Sequence, residues 1–382
     1  MPFAGEPDNE EASVVTQRED RWIRRAHGRM FGRWLAGLAV AGVACGAPGT
    51  ARPVAAQSQS PAHAATGEFK PPTPSDRHRQ DSTLDNLVHP DGYMTAPLGS
   101  LGQVVPGGEG DTPVILVAGL GFGARVFARL IDDHAEDHRF LAVSLAGYGG
   151  SSAPPMPPAG TSYGERTWLA SAQSGLARLI DGEGLDRPIV VAFYSDAANV
   201  VTRLAAERPD LVGGVLILSA AARFPLPPEA GDRAPAMDRF ARQWFRTVTE
   251  VMWPSGMFTP DFYANERDVA ERAWWEVLEP TLPVSIRYTV ETWADDLVPV
   301  LGDVTVPFKV LSPGFDESFL EGQNGELVRT RMHGGWDAAI GAGARIEHSV
   351  VSGARFLIWH DRPEAVSEAL EELVATRESI PP

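Results

Sequence analysis

Cysteine is all but absent from this chain. Its 382 residues hold one, Cys45, so no intramolecular disulfide can brace the fold. A basic surplus is also missing. Lys and Arg number 33 against 50 Asp and Glu, for a formal charge of −17. Phosphate backbones are gripped by basic faces, so no nucleic-acid partner is expected and the acidity serves solubility. Long apolar runs are lacking too. Residues 34–47 are apolar but fall short of the roughly 20 residues that cross a bilayer. What is plentiful is hydrophobic residues, at 43%, enough to fill the core of one large domain or two modest ones.

The apolar run at 34–47 is preceded by Arg24, Arg25, Arg29 and Arg33 and followed by Val54-Ala55-Ala56. A positive flank, a short apolar stretch and small residues before a cleavage point read as a secretory signal. The expectation is export, periplasmic or secreted, after cleavage near Ala56. The mature chain then begins at Gln57, holds no cysteine and has no stable membrane span. Residues 1–29 open acidic, with Glu6, Asp8, Glu10 and Glu11, and sit oddly before a signal, which makes Met30 an alternative start to Met1. Two other readings stay open. Cys45 could be lipidated, although Gly42 stands where a lipobox wants a bulky aliphatic residue, or the segment could remain as an uncleaved anchor. Residues 57–90 are rich in Pro, Ala, Ser and Gln and include Lys70-Pro-Pro-Thr-Pro-Ser75, the composition of a disordered linker.

From residue 91 the pattern becomes orderly. Residues 93–105 could form a hairpin. Apolar strands are expected at 114–117, 140–145, 189–192, 212–218, 308–311 and 346–351, with helices at 124–131, 167–180, 197–207 and 363–375. Strand–helix alternation with continuously apolar strands means a mostly parallel central sheet flanked by helices, an α/β class. The rhythm breaks at 223–301, where helices at 235–252, 260–279 and 284–300 replace it, and Phe240, Trp244 and Val248 mark one apolar face. The domain reading is therefore an N-terminal extension and signal at 1–56, a linker at 57–90, an α/β core at 91–222 and 302–382, and a helical cap inserted at 223–301.

Within that frame stand Val117-Ala118-Gly119-Leu120-Gly121, Leu145-Ala146-Gly147-Tyr148-Gly149-Gly150-Ser151, a strand–turn–helix around Ser195, Val306-Pro307 before a strand leading to Asp316, and Arg362-Pro363-Glu364 opening the last helix. In this order and spacing the chain resembles the α/β-hydrolase superfamily with a helical cap. The resemblance implies ester-type hydrolysis through an acyl-enzyme. Ser195 would be the nucleophile on a strained turn, backbone N–H groups of Leu120 and Asp196 would hold the oxyanion, and Asp316 would orient the base. Asp295 and Asp296 are weaker candidates for that acid. Asp196 as the nucleophile would shift the turn's register by one.

Two departures stand out against the family pattern. The glycines flanking the nucleophile in G-x-S-x-G are Phe193 and Ala197 here, and the base position, seven residues before Pro363, is Phe356. Phenylalanine accepts no proton. His360 is the first substitute, followed by His348 and His333. The alternative function is a catalytically degenerate relative that binds a ligand or partner. Trp244, Trp253, Trp274, Trp275 and Trp293 concentrate in the insertion. Most suit core packing, and at least one is expected to line a pocket over Ser195 that suits a small apolar or ester-like ligand.

Two weaker motifs carry no cofactor. Gly119-Leu-Gly121-Phe-Gly123-Ala124 loosely matches a dinucleotide loop, but the next strand ends near Ser144 without an acid for a ribose. His134 and His138 have the i, i+4 spacing of metal ligands, but nothing else supports a metal site and a solvated helix end explains them. Neither a cofactor nor a metal is expected.

Overall fold

The expected strands come together as one seven-stranded sheet in the computed structural model, which describes residues 96–224, 226, 231–239, 260–278, 282–320 and 329–379. They are β1 Val104–Gly107, β2 Thr112–Ala118, β3 His138–Ser144, β4 Ile189–Phe193, β5 Gly214–Leu218, β6 Phe308–Pro313 and β7 Glu347–Val351. The order across the sheet is β1-β3-β2-β4-β5-β6-β7, and only β1 runs antiparallel. This corrects the hairpin expected at 93–105. β1 lies against β3, with Val104 opposite Val143, because a four-residue strand is too short to hold a partner of its own and completes an existing edge instead. The start of that segment, and the signal and linker readings, lie outside the described residues.

Strands β4 and β5 are buried along their whole length, as apolar runs covered on both faces must be. Side chains alternate between the faces. Ile115, Val117, Val190, Ala192 and Ile217 point to one side, where Trp168 and Leu176 of α2 (Thr167–Gly182) and Val201 and Leu204 of α3 (Ser195–Glu207) meet them. Leu116, Val191, Phe193 and Leu218 point to the other. Leu370 and Leu373 of α10 (Pro363–Ser379) cover them there, beyond the short α1 (Ala128–Asp133). The helix expected at 124–131 is split into a 3-10 turn, Ala124–Phe127, followed by α1.

Between β5 and β6 the described chain carries α4 (Arg267–Leu278), α5 (Leu282–Ala294) and α6 (Leu297–Val300). The single helix expected at 284–300 breaks at Asp295-Asp296, where the Asp296 carboxylate accepts the Val298 N–H and caps α6. Residues 240–259, with the Phe240-Trp244-Val248 stripe and Trp253, are outside the described residues. Helix α5 is tied to the core by buried charge. Glu291, fully buried, accepts the N–H groups of Trp168 (2.9 Å) and Leu169 (3.0 Å) in the first turn of α2 and pairs with Arg287 at 2.5 Å. Burial pushes its carboxyl up, while a helix N-terminus with unpaired amides favours the charged form. Asp295 likewise gathers Arg166 (2.6 Å), Arg203 (2.5 Å) and Asn199 (2.8 Å). Sequence reasoning did not find α7 (Glu317–Leu320), α8 (Gly334–Gly341) or α9 (Ile358–Asp361).

Candidate active site

The turn after β4 is strained at Tyr194, one residue before the expected position. Tyr194 has φ 74° and ψ 167°, and Ser195 is already the first residue of α3. That region of backbone space is nearly reserved for glycine, and holding a tyrosine there costs about 1–3 kcal/mol. The Tyr194 N–H donates to the Leu218 carbonyl at 3.0 Å and its own carbonyl accepts from Ala198 at 2.8 Å, so neighbouring strand and helix hold it from both ends. With the apex at Tyr194, the residues two before and two after it are Ala192 and Asp196. Phe193 becomes an ordinary strand residue whose ring enters the core between Phe122, Trp359 and Phe356. Ser195 Oγ accepts the Ala221 N–H at 2.9 Å. It also borders a narrow cavity with Asn199, Phe224, Thr292 and Trp293, which has room for about one water molecule. Trp293 stacks on Phe224 at 4.2 Å; Trp274 and Trp275 pack on each other.

Asp196 is the most constrained charge in the turn. Its carboxylate accepts the Leu120 N–H through both oxygens at 3.1 Å, the Ala197 N–H at 2.9 Å and the Tyr148 hydroxyl at 3.0 Å. Leu120 stands at φ 52°, aiming that amide inward. Burial raises the Asp196 pKa to about 6, and hydrogen bonds from Leu120, Ala197, Tyr148 and its own backbone N–H oppose the rise without cancelling it. The Tyr148 hydroxyl is pushed well above its usual range by burial and by Asp196.

The remaining expected site residues do not gather around Ser195. Phe356 is fully buried, with its ring centroid 5.3 Å from Tyr194, 5.2 Å from Phe193 and 4.9 Å from Phe262. Asp316 caps α7 by accepting the Phe319 N–H (2.8 Å) and pairs with Arg355 at 2.9 Å. His360 lies on α9; its buried Nδ1 has no hydrogen-bond partner among the described residues. Burial, with Arg129 and Arg272 adding to it, drops its pKa to about 4, so the ring is neutral at pH 7. His348 bonds to Asp337 and Ser312, and His333 to the Pro313 carbonyl.

A sequence model described as the alpha/beta hydrolase family matches residues 114–369. The chain belongs to the alpha/beta hydrolase family. Solved relatives share the fold. A thermophilic esterase from Thermogutta terrifontis aligns at TM-score 0.52 and 19% identity, covering 72% of this chain and 93% of its own. A hydrolase from Pseudomonas aeruginosa aligns at 0.54 and 16%, covering 71% and 93%. One from Oleispira antarctica aligns at 0.54 and 9%, covering 74% and 98%. No curated protein sequence matches this chain.

Within this alpha/beta hydrolase, then, a strained turn follows β4, with Tyr194 at its apex, Phe356 against it and a carboxylate on the Leu120 amide. The glycine loop after β2 is likewise occupied by an acid, since the Gly123 N–H donates to Glu276 at 2.7 Å, which leaves that amide unavailable to a phosphate. No group of three or more His, Cys, Asp or Glu side chains among the described residues is placed to hold a metal ion. His134 instead bonds to Ser367 at 2.9 Å. Sequence reasoning missed Tyr194, Tyr148 and Arg355. The signal for Tyr194 was present, since Ala192 is the small residue the strand needs two positions before the apex. The other two act across 48 and 39 residues of chain and left no local trace.

Proposed function

We propose that this is an exported alpha/beta-hydrolase-family protein that has lost acyl-enzyme chemistry at its elbow and uses the fold to bind a small apolar or ester-like ligand. The observation that carries the reading is the Asp196 carboxylate on the Leu120 N–H. Acyl transfer builds negative charge on a carbonyl oxygen, and catalysis depends on donors kept free for it. A resident anion takes the donor and repels the charge. The aromatic contact between Tyr194 and Phe356 supports the same reading, because a nucleophile needs a neighbouring base to be useful. The basic flank, apolar run and Val54-Ala55-Ala56 support export, and the charge of −17 favours a small ligand over nucleic acid.

A second reading, a working esterase using Ser195, is favoured by the esterase relative and by the cavity that Ser195 shares with Trp293. One preparation separates the two. Protein recovered from the culture medium or periplasm should begin at Gln57 by N-terminal sequencing. Its hydrolysis of 4-nitrophenyl acetate and butyrate should be unchanged by Ser195→Ala, while its melting temperature rises with apolar esters or their acids. Turnover thousands of times above background, abolished by Ser195→Ala, overturns the binding reading. A product retaining residues 1–29 overturns export.

A further inference from the structure

Away from the elbow, at the margin of the sheet, three side chains form a hydrogen-bonded line. Ser312 lies near the end of β6. His348 lies on β7, in register with Val310, so it shares a sheet face with Ser312 and sits diagonal to it. Asp337 comes from α8, which covers that face. His348 Nε2 is 3.0 Å from Ser312 Oγ, and His348 Nδ1 is 2.9 Å from Asp337 Oδ1. We propose that these residues form a second nucleophilic site, in which Ser312 takes a small acyl or phosphoryl group from an activated ester or fluoride.

The partners dictate the roles. An ionised carboxylate only accepts, so Asp337 fixes the proton of a neutral His348 on Nδ1 and leaves the Nε2 lone pair facing the serine. The Ser312 hydroxyl then donates to Nε2. Its other acceptor, the Met332 carbonyl, is longer at 3.3 Å. Of the remaining charged or titratable neighbours, His333 has its ring 5.8 Å from His348, and burial lowers its pKa, which favours an uncharged ring beside His348. Met332 and His333 belong to a single π-helical turn, Arg329–His333, leading into α8. Such turns interrupt regular hydrogen bonding and recur at functional sites.

Burial sets the substrate class. Ser312 is fully buried while the Asp337 side chain is 66% exposed, so the relay opens to solvent at its acid end. Only a compact electrophile with a good leaving group reaches the serine, and it does so during local opening of the covering turn. In the step itself Ser312 Oγ bonds to the acyl carbon or phosphorus as its proton passes to His348 Nε2. The bond to the phenolate or fluoride breaks, and that group leaves with the electron pair. His348 then releases its proton to the leaving group or to solvent. Water attacking the acyl-serine, with His348 as base, regenerates the hydroxyl.

A small dialkyl fluorophosphate in excess, followed by intact mass and peptide mapping of the full-length protein, tests this. One adduct is expected, on Ser312, forming at least about 100-fold more slowly in His348→Gln, the scale of a lost general base. Asp337→Asn, a change to a positioning residue, should slow it by about tenfold while the melting temperature moves little, a separation that a purely structural role does not give. Should His348→Gln fail to fold, the wild-type mapping and Asp337→Asn still decide. No adduct on Ser312, or one whose rate ignores Asp337, overturns the proposal. An adduct on Ser195 instead overturns both this site and the binding reading of the elbow.

Discussion

The end of β4 and the outer margin of the sheet divide between them what a serine hydrolase keeps in one place. At the elbow the backbone has the family's shape. It has a strained apex, a helix starting directly after it and an inward-pointing Leu120 amide, but the side chains are Tyr194, Phe356 and a carboxylate. At the margin the side chains are serine, histidine and aspartate at hydrogen-bonding distance, but the backbone is plain strand and helix and the serine is covered. Backbone geometry and side-chain chemistry are thus separable properties. The first persists because strands and helices on either side over-determine it. The second is free to be replaced by whatever packs.

The comparison can be broken most forcefully at Phe356. If aromatic packing has replaced chemistry at the elbow, Phe356→Ala removes a fully buried ring from a cluster of Phe193, Tyr194, Phe262 and Tyr263. It should then cost about 3–5 kcal/mol in denaturant unfolding. A loss under about 1 kcal/mol means that the site is loosely filled and the replacement argument fails.

Asp196 sharpens the same point through pH. Its folded pKa, raised to about 6 from 3.8, means that the folded state holds the proton more tightly than the unfolded chain. Stability from this group is therefore fully present below about pH 4, falls as pH rises towards 6 and stays low above that. The whole window is worth up to about 3 kcal/mol. Subtracting the unfolding free energies of Asp196→Asn from those of wild type between pH 4 and pH 7 should reveal that slope. A difference that rises with pH would mean that the Leu120, Ala197 and Tyr148 donors outweigh burial.

The smallest effect belongs to the margin. Ser312→Ala deletes one hydroxyl bonded to His348 and should cost about 1 kcal/mol in the same unfolding measurement. A cost near that of Phe356→Ala would make the polar line a core brace rather than a separate chemical unit.

The central sheet was readable in the sequence because its strands are buried on both faces and so appear as unbroken apolar runs; β2, β4 and β6 lie within a residue or two of their expected limits. Edges and short helices were harder. β1 is four residues long and Val104 pairs with Val143, 39 positions away, and α7 and α9 have too few residues to show a period of 3.6. The site was legible as a place but not as a set of contacts. Ser195 drew the reading by its register between the strand and the following helix with Leu204 and Pro209, whereas strain belongs to backbone angles that no side chain announces. The line from Ser312 to His348 to Asp337 has no motif spacing, since it depends on the register of β6 against β7 and on where α8 crosses them.

Glu291 gives the segment between β5 and β6 a mechanical character. One buried carboxylate on α5 closes the open amides of α2, and losing it would expose two orphan donors and strip Arg287 of its buried carboxylate partner at once. An element fastened in this way does not swing on its own. Helix α5 and helix α2 form one cooperative unit, and slow amide exchange in either should report the unfolding of both.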